Sequence, residues 1–145
     1  MGLRLKKKLN ARDLKQFVVP ALRDGMEEAV SISQTQYLTG PRPGKLGVIT
    51  GRLRSTITYA DPKVWGPTVK TKFGTNVIYG RIHELGGIIR PKTKKYLKFK
   101  TKTGWVMTKK VRMPRRPFLY PALKQALPSI KRLIRKYIKQ GRVIR

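Results

Sequence analysis

The segment that decides the fold is PALKQALPSIKRLIRKYIKQG, which runs from Pro121 to Gly141 near the C-terminus. Apolar side chains recur along it at helical spacing, and lysines and arginines occupy mostly the other positions, as in an amphipathic helix. Pro121 suits the first turn of that helix, Pro128 predicts a kink or a restart, and Gly141 predicts a C-cap. The apolar stripe consists of Leu123, Leu127, Ile130, Leu133, Ile134, Tyr137 and Ile138. Such a stripe needs a partner surface from elsewhere in the chain.

A second long helix is predicted close to the N-terminus. Asn10 suits its N-cap, and Asp13 lies three residues further on, near the positive end of the helix dipole. Apolar residues recur at helical spacing over residues 14–38, where the pattern fades. Pro20 predicts a kink or a restart within this helix. The segment Gly40–Gly44, GPRPG, is suited to neither helix nor strand and therefore predicts a loop.

The middle of the chain alternates short β-patterned runs with turn signals. The sequence predicts a helical turn at 50–55, strands at 55–59 and 68–73, a short helix from Asn76 to Gly86, a hairpin of strands 96–100 and 105–108, and an extended link at 112–117. The hairpin aromatics Tyr96, Phe99 and Trp105 are expected in the core, where aromatic residues of alternating strands usually lie.

These elements predict the α+β class and a single domain over residues 10–140. We expect two long helices packed on a small mixed or antiparallel sheet that carries a basic hairpin. Residues 1–9 are expected to form a basic N-terminal arm, and residues 141–145 a C-terminal tail.

Charge is the most unusual property of the composition. The chain has 35 Lys and Arg against 6 Asp and Glu, a net charge of +29, and the segment from Leu85 to Arg145 contains twenty basic residues and no acid. A surface that serves only solubility usually mixes both signs, so this one is expected to face negative charge. The candidate contacts for DNA or an acidic partner are Lys92, Lys94, Lys95, Lys98, Lys100 and Lys102. Alternation places Leu97 and Phe99 on the opposite face, and a merely solvated basic surface is the alternative.

Several functional classes are disfavoured by residue types that the chain lacks. Without Cys there is no disulfide, thiol chemistry or Cys-based zinc site. His83 is the only histidine, so the chain has no His-Glu-x-x-His motif, and a nucleophile elbow and a cluster of carboxylates for two metals are also missing. We therefore expect no enzymatic activity, no cofactor and no metal. The apolar runs are too short to span a membrane, and Met1–Lys8 lacks the apolar core of a signal peptide.

Three segments, in this order, resemble the small tail-completion or head–tail joining proteins in the neck of long-tailed bacteriophages. The first, Thr50–Ser55 (TGRLRS), is similar to the family's Thr-Gly-x-Leu turn after the first helix. The second, Tyr79–Gly86 (YGRIHELG), is similar to its Tyr…Glu-x-Gly segment. The third, Pro114–Leu123 (PRRPFLYPAL), is similar to its Arg-Pro-Phe-Leu-x-Pro-Ala entry into the last helix. With the flanking helices, the resemblance covers roughly residues 10–140.

The resemblance implies a non-enzymatic structural protein of the virion, assembled in the host cytoplasm. It implies a ring of six subunits, or alternatively twelve, around the DNA path at the head–tail junction. The implied partners are other copies of the chain, other phage neck and tail proteins, and genomic DNA or acidic rings at the lysines, with no membrane. The residues that the motifs mark as structural or interfacial are Gly51, Leu53, Ser55, Tyr79, Glu84, Gly86, Pro117, Phe118 and Pro121.

Within these motifs, Phe118 is expected to anchor the core or an interface, and the prolines to fix the entry to the last helix. Glu84 is expected either to pair with an arginine or to remain a solvated surface acid. From a different class, a ribosomal or nucleoid-type protein that binds nucleic acid without sequence specificity would also explain the composition. The chain shows no RNA-recognition signature and no clear helix-turn-helix that would indicate sequence-specific binding.

Overall fold

A computed structural model describes residues 9–40 and 46–143, with side chains up to Gly141. Its elements, in chain order, are α1 (Ala11–Asp13), a π-helical segment (Leu14–Val18), α2 (Val19–Ile32), a second π-helical segment (Ser33–Tyr37), α3 (Arg52–Ser55), β1 (Ile57–Tyr59), β2 (Lys63–Trp65), β3 (Thr68–Lys70), β4 (Phe73–Thr75), α4 (Gly80–Leu85), β5 (Gly87–Ile89), β6 (Leu97–Thr101), β7 (Gly104–Thr108), β8 (Val111–Met113) and α5 (Tyr120–Val143). Most of the predicted arm, the end of the tail and the Gly40–Gly44 segment beyond Gly40 lie outside the described residues.

The N-terminal helical run begins where the sequence predicts. The Asn10 Oδ1 accepts a hydrogen bond from the Asp13 backbone N–H at 2.7 Å, which caps the helix. The run then alternates α and π winding, and α2 begins at Val19, directly before Pro20. Val18 and Val19 both have helical backbone angles, and the Val19 N–H bonds to the Leu14 carbonyl, so Pro20 lies inside the run and its missing N–H removes one bond there. The predicted restart at Pro20 is therefore a change of winding within a continuous run.

The C-terminal helix is longer and less interrupted than the sequence predicts. α5 begins at Tyr120, one residue before Pro121, and continues through Pro128. The C-cap predicted at Gly141 is wrong, because this residue lies inside the helix. A Cβ atom at Gly141 would collide with the ring of Phe17, so the glycine lets the N-terminal run and α5 approach closely.

The two helical segments pack on each other through a mixture of large apolar residues and small ones. A Cβ atom added to Gly25 on α2 would collide with the side chain of Ile130 on α5. The buried core between them consists of Leu14, Val18, Ala21, Met26, Ala29, Ile32, Ala122, Ala126, Ile130 and Ile134. On α5 the fully buried positions thus include Ala122 and Ala126, which the predicted stripe omits, whereas Leu127 of that stripe is only half-buried.

The strands form small antiparallel ladders rather than one sheet. In the part of the chain that the structure describes, the ladders are β1–β4, β2–β3, β5–β8 and β6–β7. The predicted strand 68–73 is divided between β3 and β4, and β2 was not predicted. Gly66, with a φ of 55°, turns the chain between β2 and β3. Side chains from β1 to β4 pack on the helical core, so the mixed α+β class is confirmed, with a long helix packed on small antiparallel ladders.

Two predicted boundaries near the middle of the chain are wrong. The short helix predicted from Asn76 begins only at Gly80, and Ile78 before it is 94% exposed. The link predicted at 112–117 begins as strand β8, in which Arg112 pairs with Ile88 of β5. The second difference arises from pairing with a distant strand, which local sequence patterns do not contain.

A second, smaller core joins the end of the N-terminal run to β1 and to the start of α5. Its buried residues are Leu38, Leu46, Ile57 and Phe118. Phe118 is completely buried, and its carbonyl oxygen accepts a buried hydrogen bond from the Ser33 hydroxyl at 2.9 Å. Tyr37 and Phe73 contact both cores and connect them.

Candidate functional site

The three sequence segments with motif character meet around Phe118. Leu53, from the first segment, packs against the core cluster that contains Phe118. Gly80, from the second, lies where an added Cβ atom would be 3.4 Å from Leu53 Cδ1 and 3.8 Å from Phe118 Cζ. The third segment supplies Phe118 itself. We call this meeting point of Thr50–Ser55, Tyr79–Gly86 and Pro114–Leu123 the Phe118 junction.

Glu84 caps the N-terminus of α5 across the Phe118 junction. One carboxylate oxygen accepts the backbone N–H groups of Phe118 at 2.7 Å and Leu119 at 2.9 Å, and the other accepts that of Tyr120 at 3.0 Å. The first N–H groups of a helix lack partners within the helix and favour negative charge. This arrangement replaces both roles expected from the sequence, an arginine pair and a solvated acid. The sequence contained one signal of this cap, namely the order of the motifs, in which an acid precedes the entry to the last helix.

Gly51 and Gly86 have positive φ angles, which residues with a side chain adopt only with strain. Gly51 precedes α3 with a φ of 73°. Gly86 ends α4 with a φ of 72°, and a Cβ atom there would lie 3.0 Å from the Arg115 backbone nitrogen. Beside it, the Arg116 N–H donates to the His83 carbonyl at 2.8 Å. Gly86 therefore combines a left-handed backbone with a close approach of the second and third segments.

The remaining motif residues have local positions in the same junction. The Ser55 hydroxyl donates to a carbonyl of its own helical turn at 3.1 Å. The Tyr79 ring, 40% exposed, lies edge-on to the His83 ring with centroids 6.1 Å apart. Pro117 directly precedes the buried Phe118, and Pro121 lies in the first turn of α5. Of the nine predicted motif residues, the structure brings Leu53, Glu84, Gly86 and Phe118 into contact between segments, and the positions described for the other five are local.

Most of the few acids bind partners within the chain. Three hydrogen-bonded pairs join separate elements: Arg23 with Asp61 at 2.7 Å, Tyr59 with Glu27 at 3.1 Å, and Tyr137 with Asp24 at 2.8 Å. Together with Glu84, these acids serve bonds within the chain. The three pairs are exposed, so these acids still offset part of the positive charge at the surface.

These bonds also shift the titration of the groups that make them. The hydrogen bond and charge of Arg23 lower the pKa of Asp61, and Asp61 in turn raises the pKa of Arg23. Desolvation, followed by the bond to its carboxylate partner, raises the pKa of Tyr59, and the bond to Asp24 raises the pKa of Tyr137. The stability that Asp61 contributes is lost as pH falls through its lowered folded-state pKa. The stability that Tyr59 and Tyr137 contribute is lost as pH rises through their raised folded-state pKa values.

The strands β6 and β7 form an antiparallel hairpin that presents one mixed face to solvent. Lys98 pairs with Met107, and Lys100 pairs with Trp105, so these four side chains share one face of the ladder. The Lys98 Nζ lies 5.0 Å from the centroid of the Trp105 ring. Trp105 is 67% exposed and Met107 is 62% exposed. We call this surface of Lys98, Lys100, Trp105 and Met107 the Lys–Trp face.

The prediction that the hairpin aromatics lie in the core is wrong. Tyr96, Phe99 and Trp105 are all exposed, and none belongs to either buried cluster. Strand alternation alone leaves open whether an apolar face is covered, because that depends on what packs against it. The sequence did contain one indication that Trp105 is exposed. A hairpin with a short turn at Lys102 pairs Trp105 with Lys100, which puts the ring on the lysine-bearing face.

The six candidate lysines are all exposed. They fall into three places: Lys98 and Lys100 on the Lys–Trp face, Lys102 at the hairpin turn, and Lys92, Lys94 and Lys95 in the bend before β6. The structure therefore brings two of the six together on one strand face beside Trp105.

Residues 9–40 and 46–143 contain a further surface feature, a groove, and neither a metal cluster nor a membrane-spanning helix. No group of three or more His, Cys, Asp or Glu within these ranges is arranged to hold a metal ion. No helix in the same part of the chain is long and apolar enough to cross a bilayer. A surface groove between the first helical turn and the end of α5 is lined by Asn10, Arg12, Gln16, Phe17, Tyr137, Gln140 and Gly141. The Phe118 junction and the Lys–Trp face are thus the two candidate sites.

Both candidate sites rest on the motifs and the geometry given above. No family model, no curated protein and no solved structure matches this chain.

Proposed function

We propose that the protein is a structural adaptor of a phage neck that assembles into a ring of six subunits, or alternatively twelve, around the DNA path. In this proposal the protein is not an enzyme, and it binds other copies of itself and other neck and tail proteins. The two long helices form the body of each subunit, and the basic hairpin faces DNA or an acidic neighbouring ring. The location is the head–tail junction of the virion, after assembly in the host cytoplasm.

The convergence at the Phe118 junction is the observation that supports this proposal most. Accidental motif matches have no physical reason to contact one another. Here Leu53 and Gly80 pack around Phe118, and Glu84 binds the N–H groups at the start of α5. Three motifs whose parts depend on each other physically support the resemblance better than three separate matches do.

Exposed apolar side chains around the junction favour a protein interface there. They are Ile78, Tyr79, Leu85, Ile88, Ile89 and Tyr120, and they lie on or beside α4, β5 and the first turn of α5. Clusters of exposed large apolar residues commonly mark surfaces that contact other proteins. A ring would cover such a surface by head-to-tail contact between neighbouring subunits.

The experiment is to determine the oligomeric state at high salt, which screens the repulsion between basic subunits. We expect a closed ring by negative-stain electron microscopy and a mass of six or twelve chains by light scattering. Ile78→Asp is expected to break the ring without unfolding the chain, because Ile78 is 94% exposed. Trp65→Asp, at a residue 64% exposed on β2, is the matched control and is expected to leave the ring intact. A chain that stays monomeric at high protein concentration contradicts the proposal.

A second candidate function is supported by the Lys–Trp face. A protein of ribosomal or nucleoid type would use such a basic surface to bind nucleic acid without sequence specificity. The two functions differ in stoichiometry: the adaptor closes a ring without nucleic acid, whereas the alternative is a monomer that assembles only on DNA or RNA. Antibodies against the chain also distinguish them, because the adaptor is expected to be labelled at the head–tail junction of virions.

A further inference from the structure

The hairpin of β6 and β7 projects side chains that the folded core does not use. Leu97, Phe99 and Val106 on its other face do not belong to either buried cluster, so the hairpin contributes little to the core. A tryptophan that is 67% exposed, opposite a lysine, is an unfavourable surface for a free protein. The Lys–Trp face is therefore better explained by a ligand than by folding.

The charges around this face indicate a polyanion. No acid occurs from Leu85 to Arg145, so the hairpin has no carboxylate partner in its own half of the chain. Among the described residues, the ion pair is that of Arg23 with Asp61, which are remote in sequence from the hairpin. The ammonium groups of Lys98 and Lys100 are consequently available to phosphates.

The indole ring of Trp105, beside Lys98 and Lys100, favours one kind of polyanion over the others. Duplex DNA presents phosphates to a surface and keeps its bases stacked inside, so Trp105 would gain no base contact. An acidic protein would satisfy the lysines and would cover the ring as ordinary apolar surface, without using its π-face. A single strand offers both phosphates and free base faces, and base–aromatic stacking beside basic residues is how such strands are bound.

We propose that the Lys–Trp face binds single-stranded nucleic acid, with one base stacked on Trp105 and adjacent phosphates on Lys98 and Lys100. The Lys98 ammonium, 5.0 Å from the ring centroid, would move from the ring to a phosphate, which its flexible stem allows. Binding is tolerant of sequence, because every base has a π-face. This inference does not rest on the adaptor proposal, which requires at most contact with duplex DNA; it deepens the second candidate function by naming a single strand as the ligand.

The test uses the full chain and two fluorescein-labelled probes, an oligo-dT of about 20 nucleotides and a duplex of the same length. We expect Trp105→Leu to weaken oligo-dT binding at least about fivefold and to leave duplex binding unchanged, because only stacking is lost. Trp65→Leu is the matched control: Trp65 is 64% exposed and also has a lysine, Lys70, 5.7 Å from its ring centroid, but it lies on another ladder. Far-UV circular dichroism and melting curves verify that both variants fold.

A second pair of variants tests the phosphate contacts. Replacing Lys98 and Lys100 with Gln is expected to lower the salt slope of oligo-dT binding by about 1.4, since each phosphate contact contributes about 0.7 on single strands. Replacing Lys131 and Lys136 with Gln removes the same charge from exposed positions on α5 and is expected to change the slope much less.

Three results would overturn the inference. The first is equal loss of affinity in the two tryptophan variants, and the second is equal weakening of duplex and oligo-dT binding by Trp105→Leu. The third is binding of polyglutamate as tight as that of oligo-dT and equally sensitive to Trp105→Leu, which would assign the face to an acidic protein. Ring formation is measured separately, so a ring that forms without oligonucleotide binding contradicts only this inference.

Discussion

At the residue scale, the Glu84 carboxylate is the only acid in the Phe118 junction. It supplies acceptors to three N–H groups that α5 cannot satisfy internally. The bond joins residues 34 to 36 positions apart, so it fixes the docking of α4 against α5 as well as capping a helix. A residue that reads as a charged surface position in the sequence is therefore a structural one.

We expect Glu84→Ala to lower the free energy of unfolding by about 2 kcal/mol, because three backbone donors lose their acceptor. Glu84→Gln is expected to cost less, since the amide oxygen still accepts a bond. Urea denaturation measures both values. Glu28→Ala on α2 removes the same charge away from the junction and serves as the control. Equal costs for Glu84→Ala and Glu28→Ala would show that the cap contributes no stability.

Phe118 is the largest completely buried side chain of the junction, so its truncation tests the second core directly. We expect Phe118→Ala to cost about 3–5 kcal/mol of unfolding free energy, through lost burial and the cavity left behind. Phe99→Ala is the matched control, because Phe99 is 38% exposed on the hairpin and is expected to change stability by less than about 1 kcal/mol. An unchanged melting curve for Phe118→Ala would mean that Phe118 does not stabilise the fold.

At the scale of elements, small residues determine how closely α2 and α5 pack. Gly25 lies against Ile130, and Ala122 and Ala126 are completely buried on the facing helix. Larger residues at these points would separate the helices and expose the core between them. Of the predicted stripe, Ile130 and Ile134 are buried in this contact, whereas Leu123 and Leu133 lie at its flanks and are half-buried.

Gly25→Ala therefore tests the close contact between these helices. Alanine favours helix by about 1 kcal/mol over glycine, whereas overpacking of a tight core costs about 1–3 kcal/mol. We expect net destabilisation in chemical denaturation, because the added Cβ atom collides with the branched part of Ile130. Gly74→Ala is the control, since nothing lies within 4 Å of a Cβ atom there. Stabilisation by Gly25→Ala would show that the helices are farther apart than described.

At the scale of the whole molecule, the net charge of +29 makes the chain repel itself. The fold partly offsets this repulsion because its acids bind side chains of the same chain. Glu27, Asp61 and Asp24 connect α2 with β1, with the segment after β1 and with α5, and Glu84 connects α4 with the start of α5. They leave the hairpin and the outer face of α5 without acids of their own. Such a surface favours polyanions and disfavours contact between free copies at low salt.

We expect the melting temperature of the free chain to rise with NaCl. Between about 10 mM and 150 mM salt the Debye length falls from about 30 Å to about 8 Å, which screens repulsion between distant lysines. Differential scanning calorimetry at low protein concentration measures the effect without assembly. The exposed Arg23–Asp61 bond is screened as well, so Asp61→Asn is expected to steepen the rise with salt. A melting temperature that falls with salt would contradict a fold limited by self-repulsion.

Local sequence alone determined the long amphipathic C-terminal helix, the cap at Asn10, the turn at Gly51, the stop at Gly86 and the α+β class. These features depend on side-chain periodicity and on the backbone preferences of single residues, which are readable within a short window. Only the tertiary structure decided the division of the strands into separate ladders, the choice of Ala122 and Ala126 as helix contacts, the cap by Glu84 and the exposure of Trp105. Each of those depends on a partner distant in the chain, and burial is a property of the pair of surfaces rather than of either segment alone.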